Sequence, residues 1–140
     1  MNLINSSKDI FDIAIQTYKP KAIVMMLSGG DDSMCAYHVA KAIGIKFDYV
    51  IHGNTRTGIG ETTQFVRHEV NRLCDNYLEA DAGMTYEDYV MRKGFFGIGE
   101  TAHSYSYHVL KADHFRKVVS KHIRKRQRDF PILFINGARR

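Results

Sequence analysis

Seven consecutive residues, Leu27-Ser28-Gly29-Gly30-Asp31-Asp32-Ser33, bring together two glycines, two hydroxyls and two carboxylates. An apolar run, Ala22 to Leu27, leads into them, and a helix-compatible run, Met34 to Ile43, leads out. Adjacent glycines let a backbone turn sharply and let a ligand approach the main chain closely. A helix that starts at such a turn aims its free N–H groups and its positive dipole end back at the turn. With Ser28 and Ser33 adding hydroxyl donors, the stretch reads as an anion cradle, and phosphate is the usual anion. The Gly-x-x-x-x-Gly-Lys-Ser/Thr spacing is absent, and so is Gly-x-Gly-x-x-Gly, which excludes the two commonest nucleotide loops. The plain alternative is an ordinary strand-to-helix turn with Asp32 or Ser33 as helix cap.

Other reactive side chains are scattered. The histidines form no metal-ligand spacing. Cys35 and Cys74 lie far apart, in no Cys-x-x-Cys arrangement, and both read as core residues on helices. His103 and His108 flank Tyr105 and Tyr107, which suit either stacking on a base or helix packing, with packing the expectation for aromatic side chains. The densest charge cluster is Lys117, Lys121, Arg124, Lys125, Arg126 and Arg128, read as one basic helix. Such a run is a solvated helix face or a contact to a nucleic-acid backbone.

The positioning elements follow from periodicity. Ile10, Phe11, Ala14, Ile15 and Tyr18 keep helical spacing, with Ser6 or Ser7 as cap and Lys19-Pro20 as the end. Strand one, Ala22 to Leu27, is apolar throughout, as expected for burial on both faces of a parallel sheet. The crossover helix after the loop closes at Gly44. Strand two is Lys46 to His52, followed by the loop from Gly53 to Gly60. The next helix opens at Glu61-Thr62 and runs to about Asp75 on Val66, Val70, Leu73 and Tyr77. A short strand three spans Tyr77 to Ala80. Thr85 starts a helix by a capping-box-like pattern that ends near Lys93-Gly94. After a second glycine loop, Gly94 to Gly99, helical pattern runs through Tyr105 to Leu110 and again from Phe115 to Ile123. Strand four is Ile132 to Ile135. Gly58-Ile59-Gly60-Glu61-Thr62 recurs as Gly97-Ile98-Gly99-Glu100-Thr101, best read as two similar helix starts with Glu near the positive dipole end.

Strands alternating with helices imply βαβ units: an α/β domain whose doubly wound, mostly parallel sheet carries helices on both faces. Ligands of such sheets bind outside the carboxyl ends of the strands. The loops 28–33, 53–60 and 137–140 all fall there, which points to one shared site.

Ser28-Gly29-Gly30-Asp31-Asp32-Ser33 resembles the Ser-Gly-Gly-x-Asp-Ser "PP-loop" of the ATP pyrophosphatases and of phosphoadenosine-phosphosulfate (PAPS) reductases. The resemblance extends along most of the chain. Val50-Ile51-His52-Gly53-Asn54-Thr55 through Thr57-Gly58-Ile59-Gly60-Glu61-Thr62 is similar to the family's second-strand segment, although Arg56 and Thr57 separate Asn54-Thr55 from the glycine. Tyr86-Glu87-Asp88 with Lys93-Gly94-Phe95-Phe96-Gly97 is similar to the family's helix and lid loop. Leu110-Lys111 resembles the pair before its basic helix, and Gly137-Ala138-Arg139-Arg140 resembles the start of a segment that continues into Glu-Ser.

The resemblance implies an adenine nucleotide alpha hydrolase-like fold, with residues 1–140 forming a single PP-loop domain, either whole or truncated at its C-terminus. It implies ATP, PAPS or adenylyl sulfate (APS) as ligand, with Ser28, Gly29, Gly30, Asp32, Ser33, His52, Asn54, Thr57 and Gly58 around it. Asp32 would hold Mg²⁺, or else cap the helix. Lys111 and Arg139 would clamp phosphate or sulfate, or else be surface charge. The chemistry implied is adenylation with loss of pyrophosphate, or sulfur transfer. Reductive sulfite release needs a thiolate in a C-terminal tail, and none is in the sequence. The cysteines that carry an iron–sulfur cluster in relatives would fall near Ser106-Tyr107, so no cluster is expected. Two rival readings stand: the pyrophosphatase component of a DNA phosphorothioation-type system, and a non-catalytic nucleotide-binding half of a split protein. Self-association or a partner chain stays open.

Composition sets the outer bounds. At 140 residues with a net charge of +5, the chain suits one domain and a polyanionic ligand. Its longest apolar runs are far short of the roughly 20 residues of a membrane span. No export signal is visible at Met1 to Asn5, so no membrane partner is expected and the cytoplasm is the default compartment.

Overall fold

The structure, a computed structural model, describes residues 3–138. Four strands, β1 (Ala22–Met26), β2 (Tyr49–Asn54), β3 (Tyr77–Asp81) and β4 (Ile132–Ile135), form one sheet in the order β3-β2-β1-β4. Every pairing is parallel, with Val24 opposite Tyr49, Ala22 opposite Ile132, and Val50 opposite Tyr77. The chain steps outward from β1 to β3, then returns across the sheet to place β4 on the other side of β1. The order therefore reverses between β1 and β4.

Helices cover both faces of the sheet. On one face, Met25, Leu27 and Val50 pack with Tyr37 of α2 (Asp31–Ala42) and with Val66 and Val70 of α3 (60–73). On the other, Ala22, Val24, Ile51 and Ala80 pack with Val119 and Ile123 near the end of the long helix α5 (100–123). Val24 and Met25 point to opposite faces and are both fully buried, which is why β1 is apolar at every position. α1 (Leu3–Tyr18) lies against α2, and α4 (Thr85–Lys93) precedes the second glycine loop. Among the described residues no helix is long and apolar enough to cross a membrane.

Several boundaries differ from expectation. α1 begins at Leu3, so Ser6 and Ser7 lie inside it rather than capping it. β2 starts three residues later than expected and runs on to Asn54. The Thr85 start is no capping box: Met84 is the cap residue without a side-chain cap bond, and the Thr85 hydroxyl donates to the Ala82 carbonyl instead. The helical patterns 105–110 and 115–123 belong to one helix with two π turns, His108–Ala112 and Val119–Ile123. A third π turn, Val66–Val70, interrupts α3. A π turn adds a residue and rotates the face that follows. Val66 and Val70 are accordingly fully buried, whereas Leu73, expected on the same stripe, is half exposed.

Candidate functional site

The strand–turn–helix reading of the loop holds. β1 ends at Met26, and Gly29 takes φ +89°, a left-handed conformation that side chains disfavour. A Cβ on Gly29 would sit 2.6 Å from Cγ2 of the buried Val66, so the turn is also pressed against α3. Gly30, not Asp32 or Ser33, is the cap residue of α2, and no side chain caps it. The first ladder bond runs from the Met34 amide to the Gly30 carbonyl at 3.0 Å. The opening turn of α2, with its positive dipole end, thus faces the loop.

Ser33 locks this shape. Its buried hydroxyl donates to the Gly30 carbonyl at 2.8 Å and accepts from the Ser28 amide at 3.2 Å and the Ser28 hydroxyl at 3.0 Å. One donor and two acceptor sites are all a hydroxyl has. Ser33 is therefore committed to the turn, which corrects its reading as a free donor for a ligand.

The loop walls a cleft of about 350 Å³, within the roughly 300–1,000 Å³ typical of small-molecule sites. The cleft opens between the carboxyl ends of β1 and β4, where the strand order reverses, the position at which open α/β sheets bind ligands. Ser28, Asp32 and Ser33 line one side and Asn136, Gly137 and Ala138 another. Gly137 lies so close to α2 that a Cβ there would collide with the Asp32 carbonyl and sit 2.6 Å from the Ser33 amide nitrogen. Helix α5 supplies Tyr107, Lys111 and Phe115. The Lys111 stem runs over Gly53, with Cε 3.1 Å from where a Cβ on Gly53 would stand. An i, i+4 step overshoots an α turn and falls short of a π turn, so the π turn at His108–Ala112 cancels the drift and aims all three side chains one way.

Expected site residues divide accordingly. Ser28, Asp32, Ser33 and Lys111 line the cleft. Gly29 and Gly30 form the turn behind it. His52 is buried beneath, its Nδ1 donating to the Leu27 carbonyl at 2.9 Å, which ties β2 to the end of β1. Asn54 is also buried: its amide donates to Glu79 at 2.8 Å and its carbonyl oxygen accepts from the Arg56 amide. Thr57 lies farther out, in a shallow depression with Arg56, Tyr86 and Phe96, and Gly58 is exposed. Arg139 lies outside the described residues. Phe115 and Asn136 were not among the expected site residues, Gly53 was expected only as part of the 53–60 loop and Tyr107 only as the stacking alternative to helix packing, although the Tyr107, Lys111, Phe115 spacing was there to be read.

A charged network braces the loop after β2. Arg56 grips Asp81 with two donors, its Nε at 2.7 Å from Oδ1, and Arg67 grips Glu79 at 2.9 and 2.7 Å. The Arg56 hydrogen bond holds the Asp81 carboxyl down at about 2, and the Arg67 hydrogen bond lowers that of Glu79.

Other side chains fall elsewhere. Tyr105 packs with Phe96 and Tyr89, the latter two stacked at 4.0 Å, as a packing role requires. Cys35 is exposed rather than core, because α2 buries Ser33, Tyr37 and Ala40 and Cys35 lies off that stripe. Cys74 is half-buried, and burial raises its thiol pKa. The two Gly-Ile-Gly-Glu-Thr copies each open a helix, and neither lines the cleft. Among the described residues no group of three or more His, Cys, Asp or Glu side chains gathers. No family model matches the chain, and neither does a curated protein or a solved structure.

Proposed function

We propose that this chain is an adenine-nucleotide-binding domain resembling the PP-loop ATP pyrophosphatases and PAPS reductases. It holds ATP or an adenylyl sulfate by its phosphates in the 28–33 loop and serves adenylation or sulfur-transfer chemistry. The observation that carries the reading is the cleft itself: a Ser-Gly-Gly-x-Asp-Ser turn at the start of α2, at the point where strand order reverses, with the Lys111 stem reaching in from the far wall. A doubly wound fold of the alpha hydrolase-like kind and a cytoplasmic setting belong to the same proposal.

In this reading the opening amides of α2 and the Lys111 ammonium receive the phosphates, and their positive charge is worth most where water is excluded. Ser33 and Ser28 keep the turn in its receiving shape. Asp32 is one carboxylate beside a phosphate cradle. That suits Mg²⁺, which is commonly held by one or two carboxylates together with the nucleotide's own phosphates. When bound, the metal would neutralise charge on the phosphates. In adenylation the acceptor oxygen bonds to the α-phosphorus, the bond to the bridging oxygen breaks, and pyrophosphate leaves with the electron pair. The protein's contribution is positioning and charge neutralisation.

Isothermal titration with Mg·ATP and with adenosine tests this. ATP should bind and adenosine should bind much more weakly. Lys111→Ala should weaken ATP at least tenfold, as expected for a lost charge-assisted contact of about 1.5–3 kcal/mol, while leaving adenosine unchanged. Equal affinity of the variant and the parent for ATP would overturn the assignment.

A further inference from the structure

The basic run expected as one helix is not one. α5 ends at Ile123, and Arg124, Lys125, Arg126 and Arg128 lie in the turn before β4. Lys125 and Arg126 both take positive φ, at 47° and 66°, so the chain doubles back tightly and gathers these cations at one corner. The turn is held by the Arg124 amide on the Val119 carbonyl at 2.9 Å and the Gln127 amide on the Arg124 carbonyl at 2.9 Å.

Two more cations join them from the start of β1. The Lys21 amide bonds the Pro131 carbonyl at 2.8 Å, its ammonium donates to the Asp129 carbonyl at 3.0 Å, and it lies 5.7 Å from the centre of the Phe130 ring. Lys19 is two residues away, exposed, with φ +42°. With Lys121 in the last turn of the helix, seven of the chain's twenty Lys and Arg residues lie at or beside this corner. Asp129 is the one acidic residue between 117 and 131. Among the described residues the ion pairs lie elsewhere, at Arg56, Arg67, Arg72 and Arg116.

The corner also differs from the cleft in position. β4 starts beside the basic turn and ends at the cleft, so roughly 13 Å of strand separates them. Cations at the opposite edge of the sheet cannot serve a nucleotide in the cleft. Between 113 and 131 no large apolar or aromatic side chain is exposed, and beside Lys19 the one exposed aromatic is Tyr18, a single ring and neither an apolar face nor a row of stacking platforms. Binding to a membrane surface calls for an apolar face to insert, and binding to single strands calls for aromatic platforms. What remains is a set of exposed cations on a fixed backbone, three of them arginines, which grip phosphate oxygens in pairs.

We propose that this corner is a sequence-independent docking surface for the phosphate backbone of duplex nucleic acid, separate from the cleft. It binds a duplex whether or not the cleft holds a nucleotide. The contact is electrostatic, so its affinity falls steeply with salt.

Fluorescence anisotropy with a labelled mixed-sequence DNA duplex tests this across a salt series. Five or six engaged cations predict a slope of log K against log salt of about −4.5 to −5.5. The triple charge reversal Lys121→Glu, Arg124→Glu, Arg126→Glu should weaken binding by more than a hundredfold. Arg124→Lys with Arg126→Lys, which keeps the charge, should retain binding within about tenfold. Thermal unfolding of each variant separates misfolding from lost contact, and if the triple variant does not fold, the salt slope of the parent decides. A slope near zero, full binding by a folded triple variant, tighter binding to phosphatidylserine vesicles, or a preference for single strands would each overturn the proposal. Mg·ATP titration of the triple variant should match the parent, so failure here and failure of the nucleotide reading are told apart.

Discussion

Ser33 and Lys111 were both expected to touch a ligand, yet they have different jobs. Ser33 spends its whole hydrogen-bonding capacity inside the turn, whereas Lys111 brings a positive charge across Gly53 into the cleft. Substituting Ser33 would therefore disturb the shape of the turn, which makes Lys111 the cleaner probe of binding. The ion pairs beside the site carry a pH prediction. Glu79 and Asp81 have lowered pKa values in the fold, chiefly from the Arg67 and Arg56 hydrogen bonds, and in the unfolded chain they titrate near 4.5 and 3.8. At acid pH the unfolded state then binds more protons than the folded state. The stability these pairs add is fully present above about pH 5 and is lost as pH falls toward about 2. Melting temperature should fall more steeply over that window for the parent than for Arg56→Ala with Arg67→Ala. Parallel curves for the two proteins would show that the carboxylates gain nothing from their partners.

Among the elements, the loop and α3 define each other. Gly29 needs its positive φ and also has no room for a Cβ, because Val66 is held rigidly in the core. Gly30 is extended, with φ −85° and only the Ser28 hydroxyl near, at 3.7 Å. Gly29→Ala should cost about 2 kcal/mol or more from strain and overpacking together, and Gly30→Ala under about 1 kcal/mol. Urea unfolding of the two variants checks this, and equal costs would contradict the packing described. Periodicity was enough to locate β1, α2 and β4, because each is a short run of one pattern between clear stops. It did not show the three π turns, because a π turn depends on how facing side chains pack, and no residue type announces it. It also made one helix of the basic run, because a helix end formed by left-handed Lys125 and Arg126 carries no glycine or proline to mark it.

At the scale of the whole molecule, strand order decides where chemistry can occur. Apolar β1 could be read as central, and the loops at strand ends as neighbours, but the sequence alone did not say that β4 returns beside β1. That return is what turns the loop 28–33 and the segment 136–138 into two walls of one cleft, and what sends the basic turn to the opposite edge. The resemblance placed His52 and Asn54 around the ligand; the fold uses them to tie β2 to its neighbours. The most direct measurement is an amide chemical-shift titration of the ¹⁵N-labelled chain with Mg·ATP. Saturable shifts concentrated at 28–33, Gly53, Lys111 and 136–138, with 121–128 unmoved, are the predicted result. An unmoved 28–33 loop at millimolar ATP, or shifts confined to the basic turn, would contradict the account.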